Sequence, residues 1–170
     1  SLDGINDARV VCIDLGIPHY VLDFSRPFKE HVIDMFVEEY LAGNTPNPCV
    51  VCNRKIKWEE LIRKGMSLGA DHVAMGHYAR LRHDTATGRY WIARGEDASK
   101  DQSYALWAVS QESLARTLFP LGEISKEEAR SIAERLKVRT ANKQESYEIC
   151  FIPDNDYTRF LRENVDGLDE

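Results

Sequence analysis

Apolar residues recur along this chain first at helical spacing, then in short extended runs, then at helical spacing again. Ala8, Val11, Cys12 and Leu15 repeat every three or four residues, and Gly16 follows as a stop. This predicts an amphipathic helix, with Cys12 on its apolar stripe as a buried core thiol. Ile17 to Phe24, with Tyr20-Val21-Leu22 at its centre, reads as a strand. Phe28 to Leu41 predicts a second helix with Val32, Met35, Phe36, Glu39 and Tyr40 spaced for one buried face, ended by Gly43. Trp58 to Leu68 predicts a third, with Trp58, Leu61, Ile62 and Met66 inward, Arg63 and Lys64 outward, and Gly69 as its stop.

His72-Val73-Ala74-Met75 is a short apolar run that reads as a buried strand ending at Gly76. Tyr78 to Arg82 and Arg89 to Arg94 flank Asp84-Thr85-Ala86-Thr87-Gly88 as a hairpin. Ser110 is placed to cap a helix through Leu118, and Ser125-Lys126-Glu127-Glu128 fits a capping box for a helix to Leu136. Gln144 to Ile152 reads as a short strand closed by Pro153, and Tyr157 to Leu161 opens a last helix. Helices alternating with strands predict an α/β fold with a largely parallel sheet. In such sheets ligands bind beyond the carboxyl ends of strands, where Gly76-His77 falls.

Composition narrows the classes. The chain has 170 residues, 43% of them hydrophobic, enough for one globular domain without disulfide staples. Four cysteines are too few for a secreted disulfide scaffold. No run approaches the roughly 18 apolar residues of a membrane span and no signal peptide opens the chain, so the expectation is a cytoplasmic protein with free thiols. The net charge of −6 argues against a general affinity for polyanions but is unevenly spread. Residues 52–100 hold ten Lys or Arg against six acids, whereas the segments on either side are acidic. That basic block starts at the second of two close cysteines and reads either as a solvated face or as a footprint for a nucleic-acid backbone.

Those cysteines stand in Asn47-Pro48-Cys49-Val50-Val51-Cys52-Asn53, and a third thiol, Cys150, lies nearly a hundred residues on. Pro46 and Pro48 predict a turn or extended loop around the pair. Thiols so spaced can share a metal, form a reversible disulfide or hand on sulfur. A structural zinc site wants four ligands, and no pattern singles out a fourth among His19, His31, His72, His77 and His83. A zinc deaminase would need His-x-Glu upstream, where only His19-Tyr20-Val21 and His31-Val32-Ile33 occur. A thioredoxin-like motif would start a helix in a βαβ unit, which a proline loop does not. There remains a site in which Cys49 or Cys52 works with Cys150, through a disulfide or around an iron–sulfur cluster whose open iron takes a substrate sulfur.

Gly43-Asn44-Thr45-Pro46-Asn47-Pro48-Cys49-Val50-Val51-Cys52-Asn53, followed by Lys55-Ile56-Lys57, closely resembles the tRNA-specific 2-thiouridylases. So do Gly76-His77-Tyr78, Lys100-Asp101-Gln102-Ser103-Tyr104, Leu118-Phe119-Pro120-Leu121-Gly122 and Ser146 through Ile152. The resemblance implies a PP-loop ATP pyrophosphatase type of α/β sandwich, here incomplete. Residues 1–152 would form that domain, including a helical tRNA-contacting extension over about 100–145, and 153–170 would begin a linking domain. The implied reaction is sulfur transfer to C2 of the wobble uridine in tRNAs for Lys, Glu and Gln. It uses ATP with Mg²⁺ to adenylate the C2 oxygen, and a sulfur-relay protein or cysteine desulfurase to supply persulfide.

By the same resemblance Cys52 is the nucleophile and Cys150 receives the persulfide, with Arg54, Lys55 and His77 nearby to favour thiolate. Asn47, Pro48 and Cys49 fall at target-base contacts, Gly76 at a nucleotide contact, and His77, Lys100, Asp101 and Gln102 at tRNA contacts. Many family members carry Asp where this chain has Cys49, so a cluster on Cys49, Cys52 and Cys150 stands beside the two-cysteine relay. The family's Ser-Gly-Gly-x-Asp-Ser loop and β-rich C-terminal domain are not found in these 170 residues, and the chain alone is expected neither to hydrolyse ATP nor to thiolate tRNA. The alternative is a non-catalytic zinc-binding or RNA-binding module. Trp58, Trp91 and Trp107 read as core or hairpin packing.

Overall fold

The computed structural model describes residues 2–143 and 149–165. Helix α1 spans Leu2–Leu15 and ends at Gly16, whose positive φ of 66° makes the turn that a Cβ would strain. None of its residues is buried, and Cys12 is only half-buried, so the core-thiol expectation fails. An apolar stripe specifies a helix face but cannot supply the surface that covers it. Residues 17–24 form no strand, with Tyr20 and Val21 exposed. Extended propensity there finds no neighbouring strand to bond.

The second predicted helix is one continuous run. It passes from α2 (Ser25–Phe28) through a π-helical stretch (Lys29–Ile33) into α3 (Asp34–Leu41), and buries Val32, Phe36 and Val37. The third starts ten residues earlier than predicted. Helix α4 (Pro48–Cys52) continues through a π-helical stretch (Asn53–Glu60) into α5 (Leu61–Ser67). Pro48 does not break this helix but opens it. Asn47 is the N-cap, its side chain accepting from the Cys49 N–H at 3.2 Å, and Pro48 takes the first position, where it has no N–H to leave unsatisfied. The thiol pair therefore lies on a helix, not in a loop.

Strand β1 (Val73–Ala74) pairs in parallel with β4 (Thr117–Leu118), extended by Val73 N–H to Arg116 O at 2.8 Å and Met75 N–H to Leu118 O at 2.9 Å. Strands β2 (Ala79–Asp84) and β3 (Arg89–Arg94) form the expected antiparallel hairpin. The α/β class thus stands, with a parallel sheet much smaller than foreseen. A 3₁₀ turn (Ser103–Ala105), α6 (Gln111–Ala115) and α7 (Lys126–Arg135) follow, the two helices capped by Ser110 and Ser125. The predicted helix through Leu118 stops at Ala115, because residues 117–118 are drawn into the parallel pair. Of the strand expected over 144–152, residues 144–148 lie outside the described residues, and 149–152 are a turn closed by Ile152 N–H to Ile149 O at 2.8 Å. Helix α8 (Tyr157–Asn164) closes the description.

Two apolar clusters organise the molecule. One gathers Trp58, Ile62, Met75, Ala79, Leu106, Val109 and Leu114 beneath the parallel pair. Trp58 is fixed there by its indole N–H, which donates to Thr117 Oγ1 at 2.9 Å, and Thr117 in turn donates to Ser113 O. The other cluster packs Phe36 and Val37 of α3 against Ile152 and Phe160. Two glycines tie the start of β2 in place. A Cβ on Gly122 would lie 2.1 Å from Ala79 O and one on Gly95 2.8 Å from Tyr78 O, so only glycine admits the approach of these backbones.

Candidate sulfur-transfer site

Between the two clusters lies a cavity of about 330 Å³, at the lower end of the roughly 300–1,000 Å³ usual for small-molecule sites. Cys49, Cys52, Asn53 and Lys57 reach it from one face of the helix that Asn47 caps. Their offsets of three, four and eight residues from Cys49 are those of a single helical face. His77 and Gln102 form the next wall, and Cys150 closes the far side between Ile149 and Phe151. Three thiols from two segments far apart in the sequence thereby face one space. All four cysteines are free.

Electrostatics set the protonation of these groups. Burial pushes the Cys52 thiol above the usual thiol range, Lys57 pulls it down, and Cys150 and Cys49 push it up again. Cys150 is also raised, by burial first and then by Cys49, with Lys57 opposing. Burial and the charge of Lys57 lower His77 to about 4, so at neutral pH it carries no charge. It packs on Trp58 with ring centroids 5.3 Å apart. The expectation that Arg54, Lys55 and His77 favour thiolate is therefore corrected. Arg54 and Lys55 both pair with Glu59, His77 is neutral, and Lys57 is the cation that the thiols feel.

The other expected site residues are distributed as follows. Pro48 is buried and lines the cavity beside Cys49, which is exposed. Asn47 caps the helix and lines an adjoining groove with Val50, Tyr104 and Trp107. Gly76 is exposed just past the carboxyl end of β1, beside Lys57, His77 and Gln102. The carboxylate of Asp101 is engaged inside the fold. Burial raises it, but bonds from Gly95 N–H at 3.0 Å and from Ser103 outweigh that and leave it below the usual carboxylate range. Gln102 exchanges two bonds with Tyr78, N–H to O at 2.9 Å and Oε1 from N–H at 3.0 Å. Lys100 begins this clip, its N–H on Asp97 O. These contacts clamp the wall that carries His77.

Sequence reasoning missed Asn53 and Lys57 as site residues. The available signal was Asn-Pro read as N-cap and first helical residue, which puts both on the face of Cys49. Trp107 was read as packing, yet it is 77% exposed. Among the described residues no group of three or more His, Cys, Asp or Glu is arranged to hold a metal ion. Cys49, Cys52 and Cys150 share one cavity without forming such a group. No helix among the described residues is long and apolar enough to cross a membrane.

The fold and the cavity together define an α/β protein with paired thiols at the carboxyl end of a parallel strand. Residues 1–154 match the family described as tRNA methyl transferase HUP domain, and the chain belongs to that family. It is 56% identical over its whole length to a tRNA-specific 2-thiouridylase MnmA of Amoebophilus asiaticus, covering 45% of that protein. A protein of the same name from Salinibacter ruber is 52% identical, again over the whole chain and 45% of the relative. One from Heliobacterium modesticaldum is 58% identical over 96% of the chain and 42% of the relative. The chain thus spans less than half the length of these relatives.

Proposed function

We propose that this chain carries the sulfur-transfer chemistry of a tRNA 2-thiouridine synthase. The observation that bears most of the weight is the meeting of Cys52 and Cys150 across one cavity. The family description speaks of methyl transfer, whereas the named relatives are 2-thiouridylases. Thiols from two distant segments facing one small cavity favour sulfur delivery, because one can carry the sulfur and the other release it. The structural-zinc reading draws no comparable support, since the described residues hold no metal-binding group.

In this reading the target uridine enters the cavity out of its stack. ATP, as co-substrate near Gly76 and Lys57, bonds its α-phosphorus to the C2 oxygen as N3 gives up its proton to solvent and pyrophosphate leaves; N3 regains a proton once sulfur stands on C2. The terminal sulfur of a persulfide on Cys150 attacks C2, and AMP departs with the former oxygen. Cys52 thiolate then attacks Cys150 Sγ. The sulfur–sulfur bond breaks, the new sulfur stays on C2, and a Cys52–Cys150 disulfide forms. Two electrons from a thiol reductant reset the pair. Lys57 holds a positive charge beside both thiols and offsets part of the burial that keeps them protonated. Tyr104 and Trp107 stand exposed in the groove next to Asn47, where aromatic faces stack unpaired bases.

The wobble uridine of tRNAs for Lys, Glu and Gln, and a relay protein or desulfurase as donor, complete the proposal. The test is to replace Cys52 or Cys150 by Ser in the full-length protein and measure 2-thiouridine in digested tRNA by mass spectrometry. Each variant should lose at least about a thousandfold in rate with its melting temperature unchanged. Thiolation at the wild-type rate in either variant would sink the reading.

A further inference from the structure

Two spaces share a wall at the carboxyl end of β1. One is the thiol cavity, and the other, of about 340 Å³, opens beside Met75 and Gly76. The shared wall consists of Lys57, His77 and Gln102. Gln102 is committed to the Tyr78 backbone, and His77 is uncharged at neutral pH. Lys57 differs from both. Its helix neighbours Arg54 and Lys55 are tied to Glu59, and Arg63 to Glu60. Lys57 is half-buried, and among the described residues no carboxylate pairs with it. Among the described residues that line either space, it is the side chain that carries a positive charge. It also lies close enough to shift Cys52, Cys150 and His77. A half-buried ammonium without a counter-ion costs stability, so its retention at this seam points to an anion that arrives from outside.

We propose that Lys57 holds the α-phosphate of the adenylated uridine at this seam and is a catalytic residue in both halves of the reaction. This rests on the function proposed above and assigns the group that bears its phosphate charge. In the adenylated base the phosphorus is joined to C2 through a single oxygen, so it stays near the carbon that the thiols must reach. With uracil in the thiol cavity, that oxygen falls at the shared wall and the adenosine runs into the second space. As the C2–O–P linkage forms and the bond to pyrophosphate breaks, negative charge spreads over the α-phosphate oxygens. When the persulfide sulfur bonds C2, the electron pair of the breaking C2–O bond leaves with AMP, whose phosphate gains a second negative charge. In each step charge grows where a fixed ammonium faces it, in a space partly closed to water.

The experiment gives the full-length protein unmodified tRNA and ATP but no sulfur donor, which stops the reaction at the adenylated base. Transfer of labelled pyrophosphate into ATP then reports adenylation and its reversal, with no thiol step in the readout. The wild type should show exchange that depends on tRNA. Lys57→Met should lower its rate about 100- to 1,000-fold with the melting temperature unchanged. Lys57→Arg keeps the charge and should retain at least about a tenth of the wild-type rate. If Lys57→Met exchanges at the wild-type rate yet thiolates slowly, the inference is overturned and the proposed function stands, because the lysine then acts through the thiols alone. Equal loss in the methionine and arginine variants would also overturn it, since charge would not be what the step needs. Absence of exchange in the wild type would instead bring down the adenylation step of the proposed function, and the inference with it.

Discussion

The wall that carries Cys52 and the wall that carries Cys150 are built by different means. The first is tied by directed bonds, Asn53 to Ala105, Gln102 to Tyr78, Asp101 to Gly95 and Trp58 to Thr117. It also has backbones in close approach at Gly95 and Gly122. The second is tied by aromatic packing. Phe151, next to Cys150, meets Phe28, Phe36 and Phe160 at ring-centroid distances of 5.3–5.7 Å. Hydrogen-bonded clamps fix position to a fraction of an ångström, whereas aromatic contacts give area with less directional preference. A sulfur relay profits from that division. In the proposed reaction, one thiol would stay registered to the base while the other approaches a donor and returns.

Phe36→Ala should break the comparison most deeply on the Cys150 side. Phe36 is fully buried among four aromatic rings, and its loss should cost about 3–5 kcal/mol. Hydrogen exchange should show faster exchange around 149–160 and unchanged protection of Val73 and Met75. Uniform deprotection of both walls would show that they do not act separately. Gly122→Ala should injure the other wall by about 3 kcal/mol or more, through its collision with Ala79 O, read as a lowered urea midpoint.

His77 offers a test by pH. Its folded value of about 4 lies below the ordinary 6.5, so between those pH values the unfolded chain binds the extra proton. Stability therefore falls as pH drops from about 6.5 to about 4, by roughly 2 kcal/mol after allowance for solvent screening. His77→Leu should remove that part of the acid slope, visible as the difference between wild-type and variant denaturation curves. An unchanged slope would mean that the imidazole accepts its proton freely in the folded state. The smallest effect expected is that of Lys57→Met on the thiols. It should raise Cys52 and Cys150 further and slow their alkylation by iodoacetamide at pH 8 about threefold. Faster alkylation would reverse the sign assigned to Lys57.

The two walls also differ in how far they could be read from residue order. The hairpin, the caps at Ser110 and Ser125 and the apolar face of Trp58 and Ile62 follow from local periodicity and capping, and they appear as expected. What failed was decided by neighbours or by a single position. Residues 17–24 have strand-forming side chains but no pairing partner, and residues 117–118 left their helix because β1 offered backbone bonds. Pro48 was misread because proline is judged a breaker until its place relative to an N-cap is known. The convergence of Cys52 with Cys150 is invisible to periodicity; setting aside the other thiol chemistries suggested it, and motif resemblance assigned the roles.

The π-helical stretch Asn53–Glu60 lies between the thiol turn and the Trp58–Ile62 anchor. Wider turns of this kind hold an extra residue relative to the α-helix, which makes the phase between Cys52 and the buried tryptophan a matter of counting. Excising one residue there would let the segment tighten into ordinary α-helix, and because the wide turns had absorbed that residue, the faces on either side would stay nearly in phase. Excising one residue from α4, which has no such slack, would instead turn everything ahead of it by about 100° around the axis. Loss of a single codon should therefore be tolerated in the wide stretch and should turn the capping asparagine and the first thiol away from the cavity in the narrow one.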